Sequence, residues 1–217
     1  MIYNKKMSLS IIIPVYNEED QIKITLNKIN NFKKKFHNLE IIFVDDFSSD
    51  NTKNIIKKYC ERKKFIKIVK NTKKGLGSAI YNGLIKSKNK FICIFMSDMS
   101  DNLNDVKRYY KLISKENLDA VLGSRFNKRS NIVDYPLFKL ILNRIFNTIV
   151  RFLFISKYND FTNAFKIYKR KTLLKILPIV SEHFNVFLEL PLKIIIRKYN
   201  YKIIPISWKN RKRQIKV

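Results

Sequence analysis

Short apolar runs punctuate the first half of the chain, separated by amphipathic or polar segments. Leu9 to Val15 (LSIIIPV), Leu39 to Val44, Phe65 to Val69, Phe91 to Phe95 and Asp119 to Leu122 read as strands. The continuous runs, Phe91 to Phe95 above all, suit strands buried on both faces of a parallel sheet. Between them, Ile22, Leu26 and Ile29 recur at helical spacing, as do Ile55, Ile56 and Tyr59, and Ala79, Ile80, Gly83 and Leu84. A further helix is expected from about Asn104 to Ser114. This alternation predicts a doubly wound α/β fold, with a mostly parallel central sheet flanked by helices.

The second half has a different pattern. Tyr135 to Tyr158 is long and largely apolar, but Lys139, Asn143, Asn147 and Arg151 recur every four residues, with Arg144 beside them. On a helix these form one polar stripe along a greasy cylinder. The charges argue against a membrane span. Two readings stay open: a helix lying in a membrane interface, or a core helix whose basic stripe lines a cleft. Asp160 to Tyr168 reads as a loop and a short strand. Helices are expected over Lys171 to Leu177 and Val186 to Lys198, and a last strand over Lys202 to Trp208. No repeat, linker or domain boundary is visible, so residues 1–217 are expected to form one domain.

The chemistry-bearing residues gather where strands stop. Tyr16-Asn17-Glu18-Glu19-Asp20 follows the first strand, Asp45-Asp46 and Ser48-Ser49-Asp50 the second, Met96-Ser97-Asp98-Met99-Ser100-Asp101 the fourth, and Gly123-Ser124-Arg125 the fifth. In open α/β sheets ligands bind outside the carboxyl ends of the strands, and these four ends share one edge. Carboxylates there (Glu18, Asp45, Asp46) can accept hydrogen bonds from base N–H groups and ribose hydroxyls. Asp98, with Ser100 or Asp101, offers the hard oxygen ligands that magnesium or manganese takes beside substrate phosphates. Asp50 and Asp101 have a second reading, as helix caps or first-turn acids.

Composition narrows the partners. A net charge of +28 over 217 residues attracts anions. Lys, Ile and Asn are abundant together, so part of that charge reads as a compositional bias and a solvated surface. The aromatics sit within apolar runs instead of alternating with basic residues, which disfavours a nucleic-acid platform. Cys60 and Cys93 are far apart and show neither metal-ligand spacing nor a disulfide framework, as suits a reducing cytoplasm. The N-terminus lacks the long apolar region of a signal peptide.

PVYNEE (Pro14 to Glu19), VDDFSSDNT (Val44 to Thr52), KKGLGSAIYNG (Lys73 to Gly83), MSDMSD (Met96 to Asp101) and GSRF (Gly123 to Phe126) occur in this order. Together they resemble glycosyltransferase family 2, with its GT-A fold. DFTNAFKIYKR (Asp160 to Arg170), FLELPLK (Phe187 to Lys193) and PISWKNR (Pro205 to Arg211) narrow the resemblance to the polyprenyl-phosphate (dolichol-phosphate) mannosyltransferase branch.

The resemblance implies a GT-A, Rossmann-like domain with a nucleotide-sugar half (9–126) and an acceptor and membrane-interface half (127–217). Pro14, Tyr16, Glu18, Val44 and Asp46 would line the nucleotide, with Ser97 counted among the substrate-binding residues. Asp98 and Ser100 would hold Mg2+ or Mn2+. Arg125 and Arg211 would meet the donor diphosphate or the acceptor phosphate. Lys139 and Asn143 match positions where relatives often carry Arg and Ser facing the acceptor phosphate, Arg144 adds charge, and Asn185 falls at a position occupied by Lys among relatives. Met96 stands where the family commonly has the first Asp of its metal motif, and the family's usual Gly-x-Ser-Lys after Arg211 is missing.

The implied activity is inverting transfer of a hexose from a nucleotide sugar to a polyprenyl phosphate at the inner face of the membrane. Mannose from GDP-mannose is the branch's commonest pairing, with UDP-glucose open. The acceptor phosphate is already ionised near neutral pH, because its second pKa is about 6, so no carboxylate base is required. One alternative is a family 2 enzyme acting on a saccharide hydroxyl, with Glu182 or Glu189 as base. Another is a catalytically silent nucleotide-sugar-binding module.

Overall fold

A computed structural model describes residues 8–34, 36 and 38–210. In its first half, strands β1 (Ser8–Val15), β2 (Asn38–Asp45), β3 (Ile66–Lys70), β4 (Phe91–Ile94) and β5 (Ala120–Ser124) alternate with helices α1 (Glu19–Lys33), α2 (Thr52–Arg62), α3 (Leu76–Lys86) and α4 (Leu103–Lys115). Then come β6 (Asn131–Val133), α5 (Leu137–Leu153), β7 (Lys166–Lys169), α6 (Arg170–Lys175), α7 (Val186–Ile196), β8 (Tyr201–Pro205) and β9 (Ser207–Lys209).

The main sheet has seven strands in the order β3-β2-β1-β4-β7-β5-β8. All neighbours are parallel except at β7, which runs antiparallel to both β4 and β5. The continuous apolar runs explain the burial. Along β1, Leu9, Ile11, Ile13 and Val15 face a core shared with α1, α2 and α4, while Ile12 faces the opposite core, with α3 and α7. Helix α4 carries its polar residues outward and buries Val106, Tyr109, Tyr110 and Ile113.

One feature goes beyond the sequence expectation and one departs from it. The fourth and fifth strands are not neighbours, because β7 is inserted between them. Its antiparallel direction brings the preceding loop, 160–165, to the same sheet edge as the carboxyl ends of β1, β2, β4 and β5. The expected single last strand, Lys202 to Trp208, is two strands broken at Ile206. Pro205 closes β8 at the sheet edge, where a missing N–H is tolerated. Beyond Ile206 the chain leaves the main sheet and pairs with β6 in a separate two-stranded ribbon.

Helix α5 inverts the usual amphipathic arrangement. Its polar residue Asn147 is buried and Asn143 half-buried, whereas Leu137, Phe138, Ile141, Leu142, Ile145, Ile149, Phe152 and Leu153 are exposed. Val150 is its only buried apolar residue among those described. Among the described residues no helix is long and apolar enough to cross a membrane.

Candidate active site

The turn after β4 is the centre of the site. Asp98 accepts the Ser100 backbone N–H (3.0 Å) and the Ser100 hydroxyl (2.9 Å), which fixes the carboxylate within its own turn. Met99 adopts a positive φ of 58° in that turn. Asp101 does not cap α4. Asn102 does, its side chain accepting the Asn104 N–H at 2.9 Å. Asp101 is instead buried, and its Oδ1 has no hydrogen-bond partner. Burial, and then the charge of nearby Asp98, push its pKa up to about 8.

Arg125, at the end of β5, faces this turn from the far side of β7. Its guanidinium forms a two-pronged pair with Asp160: Nε donates to Oδ2 at 2.9 Å and Nη2 to Oδ1 at 2.6 Å. The Arg125 backbone N–H also donates to Asp160 (2.7 Å), and Nη2 donates to the Thr162 hydroxyl (2.9 Å). Burial opposes the charge on Arg125, but Asp160 outweighs it and raises the pKa further. The rings of Phe126, Tyr135 and Trp208 lie 5.5, 5.6 and 5.8 Å from the guanidinium carbon, in reach of cation–π attraction.

From α5, Asn143 donates to the Tyr135 hydroxyl (3.0 Å) and accepts from Thr162 (3.0 Å). The polar stripe of α5 is thereby tied to the Arg125–Asp160 pair. A cavity of about 320 Å3 opens here. Asp98, Ser100, Asp101, Arg125, Lys139, Asn143 and Asn185 all line it, and Phe146 and Phe184 form apolar flanks. The structure therefore brings together the expected Asp98, Ser100, Arg125, Lys139, Asn143 and Asn185. Arg144 lies outside that lining, exposed, with its guanidinium 4.6 Å from the Phe126 ring. Arg211 lies outside the described residues.

The donor-side expectations gather at the ends of β1 and β2. Glu18 accepts from the Ser97 hydroxyl (3.2 Å), and the Ser97 carbonyl accepts from Thr25 (2.8 Å), which joins this region to the Asp98 turn. Tyr16 is exposed, with the Lys74 ammonium 5.1 Å from its ring. Pro14 and Val44 pair across β1 and β2. Both are buried, and Val44 packs in the core beside Ala79 and Ile80. Asp46 accepts from Asn71 Nδ2 (2.7 Å) and from the Gly75 N–H (2.9 and 3.1 Å), so it pins the turn before α3. Gly75 has a φ of 133°, which an L side chain rarely adopts. Asp45 is buried, and its Oδ1 has no partner. Asp50 accepts from the first residues of both α2 and α1, Thr52 N (3.0 Å) and Glu19 N (3.0 Å).

The two glutamates considered as bases are engaged elsewhere. Glu189 accepts the N–H groups of Val180 and Ser181 and pairs with Lys193. Glu182 pairs with Lys73 at the surface. Sequence reasoning gave no role to Asp160, Thr162, Tyr135 or Trp208. Asp160 and Thr162 lie in the DFTNAFKIYKR segment and Trp208 in PISWKNR, and nothing in either segment says that Asp160 crosses to Arg125.

The family model for glycosyl transferase family 2 matches residues 10–177. The chain belongs to glycosyl transferase family 2. Curated relatives of this transferase include the dolichyl-phosphate beta-glucosyltransferases of Saccharomyces cerevisiae (27% identical, 94% of this chain and 68% of the relative), Mus musculus (28%, 75% and 55%) and Dictyostelium discoideum (30%, 78% and 56%). The chain spans little more than half the length of the latter two. Among solved structures, the fold matches glucosyl-3-phosphoglycerate synthase from Mycobacterium tuberculosis, in complex with Mn2+, UDP and glucosyl-3-phosphoglycerate. The TM-score is 0.72 at 15% identity, covering 96% of this chain and 73% of that one. It also matches S. aureus TarS 1–349 in complex with UDP-GlcNAc (TM-score 0.64, 20% identity, 95% and 59%). These neighbours establish the GT-A, Rossmann-like architecture for the transferase.

Proposed function

We propose that this family 2 transferase moves a glucosyl residue from a nucleoside diphosphate sugar to a polyprenyl monophosphate of the dolichyl type, at a membrane surface. Three relatives bear the name dolichyl-phosphate beta-glucosyltransferase, which favours glucose over the mannose expected from the branch resemblance. The observation that carries the acceptor reading is the cavity beside Asp98. Its lining combines the cationic Arg125 and Lys139 with the apolar Phe146 and Phe184. That combination suits an amphiphile with an anionic head and an apolar tail. Helix α5, with Asn143 and Asn147 turned toward the protein and its apolar side outward, suits a helix resting in the membrane interface while Lys139 and Asn143 face the head group.

The acceptor phosphate would supply its own nucleophilic oxygen, attacking the anomeric carbon opposite the departing nucleoside diphosphate and inverting the configuration. Lys139 would lower the repulsion between two anionic substrates, and Arg125, held by Asp160, would present a fixed positive field toward them. Asn143 and Asn185 would orient the phosphate. On the donor side, the unpartnered Asp45 Oδ1 and the Asp46 carboxylate suit base or ribose donors. Neither glutamate considered as a base for a saccharide hydroxyl acceptor lines this cavity: Glu189 is held by Val180, Ser181 and Lys193, and Glu182 pairs with Lys73 at the surface.

The site also fits a divalent cation. Among the described residues no group of three or more His, Cys, Asp or Glu is placed to hold a metal ion, but magnesium and manganese need only one or two carboxylates plus substrate phosphates. Asp98, with the unpartnered Asp101 Oδ1 beside it, would provide them, and Ser100 a hydroxyl. Such a cation, when bound, would offset the charge of the leaving diphosphate.

The test is a donor and acceptor screen on the purified protein. UDP-glucose, GDP-mannose and UDP-N-acetylglucosamine are each offered with polyprenyl phosphate and with free sugars, with and without Mg2+ or Mn2+. Metal-dependent formation of polyprenyl-phosphoglucose is expected. Transfer only to free sugars, or no transfer from any donor, would overturn the reading.

A further inference from the structure

We propose that Lys166 is a positioning residue that sets the shape of the acceptor cavity, an inference that rests on the acceptor reading above. Lys166 opens β7, an interior strand of the main sheet, in register with Ile94 of β4 and Leu122 of β5. It is only 1% exposed. A lysine in such a place is costly unless its ammonium is fully hydrogen-bonded. Its Nζ donates to the carbonyls of Phe161 (3.1 Å), Asn163 and Phe187 (3.3 Å).

Those three acceptors come from two separate walls of one cavity. Phe161 and Asn163 belong to the loop that carries Asp160 and Thr162, the partners of Arg125. Phe187 belongs to the first turn of α7, whose preceding residues Phe184 and Asn185 form the facing wall. One ammonium therefore ties the Arg125-holding loop to the α7 wall. No carboxylate is among its hydrogen-bond acceptors. The charged groups facing it are Asp160, Arg125 and Asp101, and the rings of Tyr158 and Phe187 lie 5.7 and 5.8 Å away. Burial lowers its pKa to about 7, with Asp160 opposing that shift.

If Lys166 only filled space, a methionine of similar length would replace it without discriminating between ligands. If it sets the distance between the two walls, its loss weakens the acceptor and spares the donor. Trp208 is the protein's single tryptophan and lines the same cavity, so its fluorescence reports occupancy. Farnesyl phosphate, a short polyprenyl phosphate, is titrated by Trp208 fluorescence and UDP by calorimetry, both with Mg2+ present. The proteins compared are wild type, Lys166→Met and Lys166→Arg. For Lys166→Met the farnesyl phosphate Kd is expected to rise at least tenfold, with the UDP Kd within twofold. Lys166→Arg keeps the cation but redirects its N–H groups, and a two- to fivefold rise confined to farnesyl phosphate is expected.

An unchanged farnesyl phosphate Kd in Lys166→Met, or equal weakening of both ligands, would overturn the proposal. Should Lys166→Met not fold, Lys166→Arg decides by the same criterion. In turnover, the acceptor KM should rise while kcat stays within threefold. A wild-type protein that binds farnesyl phosphate without transferring sugar would sink the transfer reading alone and leave the binding comparison to judge Lys166. Absence of wild-type binding would overturn both.

Discussion

Arg125 and Asp160 stand 35 positions apart in the chain yet form a buried two-pronged ion pair, with Nη2 of the arginine 2.6 Å from Oδ1 of the aspartate. The geometry matches the planar fork of guanidinium to a carboxylate. Because both groups are removed from water, the pair acts as a unit. Removing one partner leaves the other as an uncompensated buried charge. Asp160→Asn is expected to cost about 3–5 kcal/mol of stability in urea unfolding. The double variant Arg125→Met/Asp160→Leu should be less destabilised than Asp160→Asn alone. Equal or additive losses would show that the two side chains are not coupled.

Asp98 presents the opposite case. Both of its hydrogen bonds run to Ser100, two residues on, so the carboxylate supports only its local turn. Asp98→Asn should therefore cost about 1 kcal/mol, a shift of roughly 2–4 °C in melting temperature. Metal-dependent sugar transfer should fall at least about a hundredfold, as expected for losing stabilisation of developing charge. Turnover close to wild type in a folded Asp98→Asn protein would remove Asp98 from the metal-binding role.

Asp101 ties stability to pH. In the folded protein its carboxyl keeps a proton up to about 8, whereas the ordinary value is 3.8. Between those values the folded state binds more protons than the unfolded state. The contribution of this group is therefore whole below about 3.8, declines as pH rises, and is gone above about 8. Asp101→Asn removes that titration. Without divalent cations, the melting temperature of Asp101→Asn relative to wild type should rise between pH 5 and pH 8. Lys166 acts in a higher window and with the opposite sign: its folded pKa of about 7 lies below the ordinary 10.5, so stability from this group increases with pH between them. A constant gap between Asp101→Asn and wild type from pH 5 to 8 would contradict the assignment.

Ile141 and Ile145 are about half exposed on the outward face of α5. Replacing both with Asp should leave the melting temperature nearly unchanged, because neither side chain is in the core. Binding to anionic phospholipid vesicles, measured by sedimentation, should drop at least tenfold, while transfer to a short acceptor in detergent is retained. Vesicle binding equal to wild type would place the membrane-facing surface elsewhere.

Much of the donor half was legible in the sequence. The apolar runs of β1, β2 and β4 are long enough to identify themselves as strands, and the polar residues following them fall at one sheet edge once the strands are parallel. Asp98 could be singled out because it stands where a buried strand ends. The acceptor half was only partly legible. The polar stripe of α5 was visible as a period of four, but periodicity fixes which residues share a face, not whether that face meets protein or water. Asp101 looked as much like a helix cap as a ligand until Asn102 was seen to take the cap.

What the sequence by itself determined was the alternation of strands and helices and the identity of the strand-end residues, since both follow from local hydrophobic spacing. The tertiary structure decided which distant segments became neighbours. The antiparallel insertion of β7 between β4 and β5 carries Asp160 to Arg125 and buries Lys166 among carbonyls from two separate segments. A four-residue strand, KIYK, bears no mark of that placement. Its partners are chosen by packing and hydrogen-bond satisfaction across the whole sheet, which no local pattern encodes.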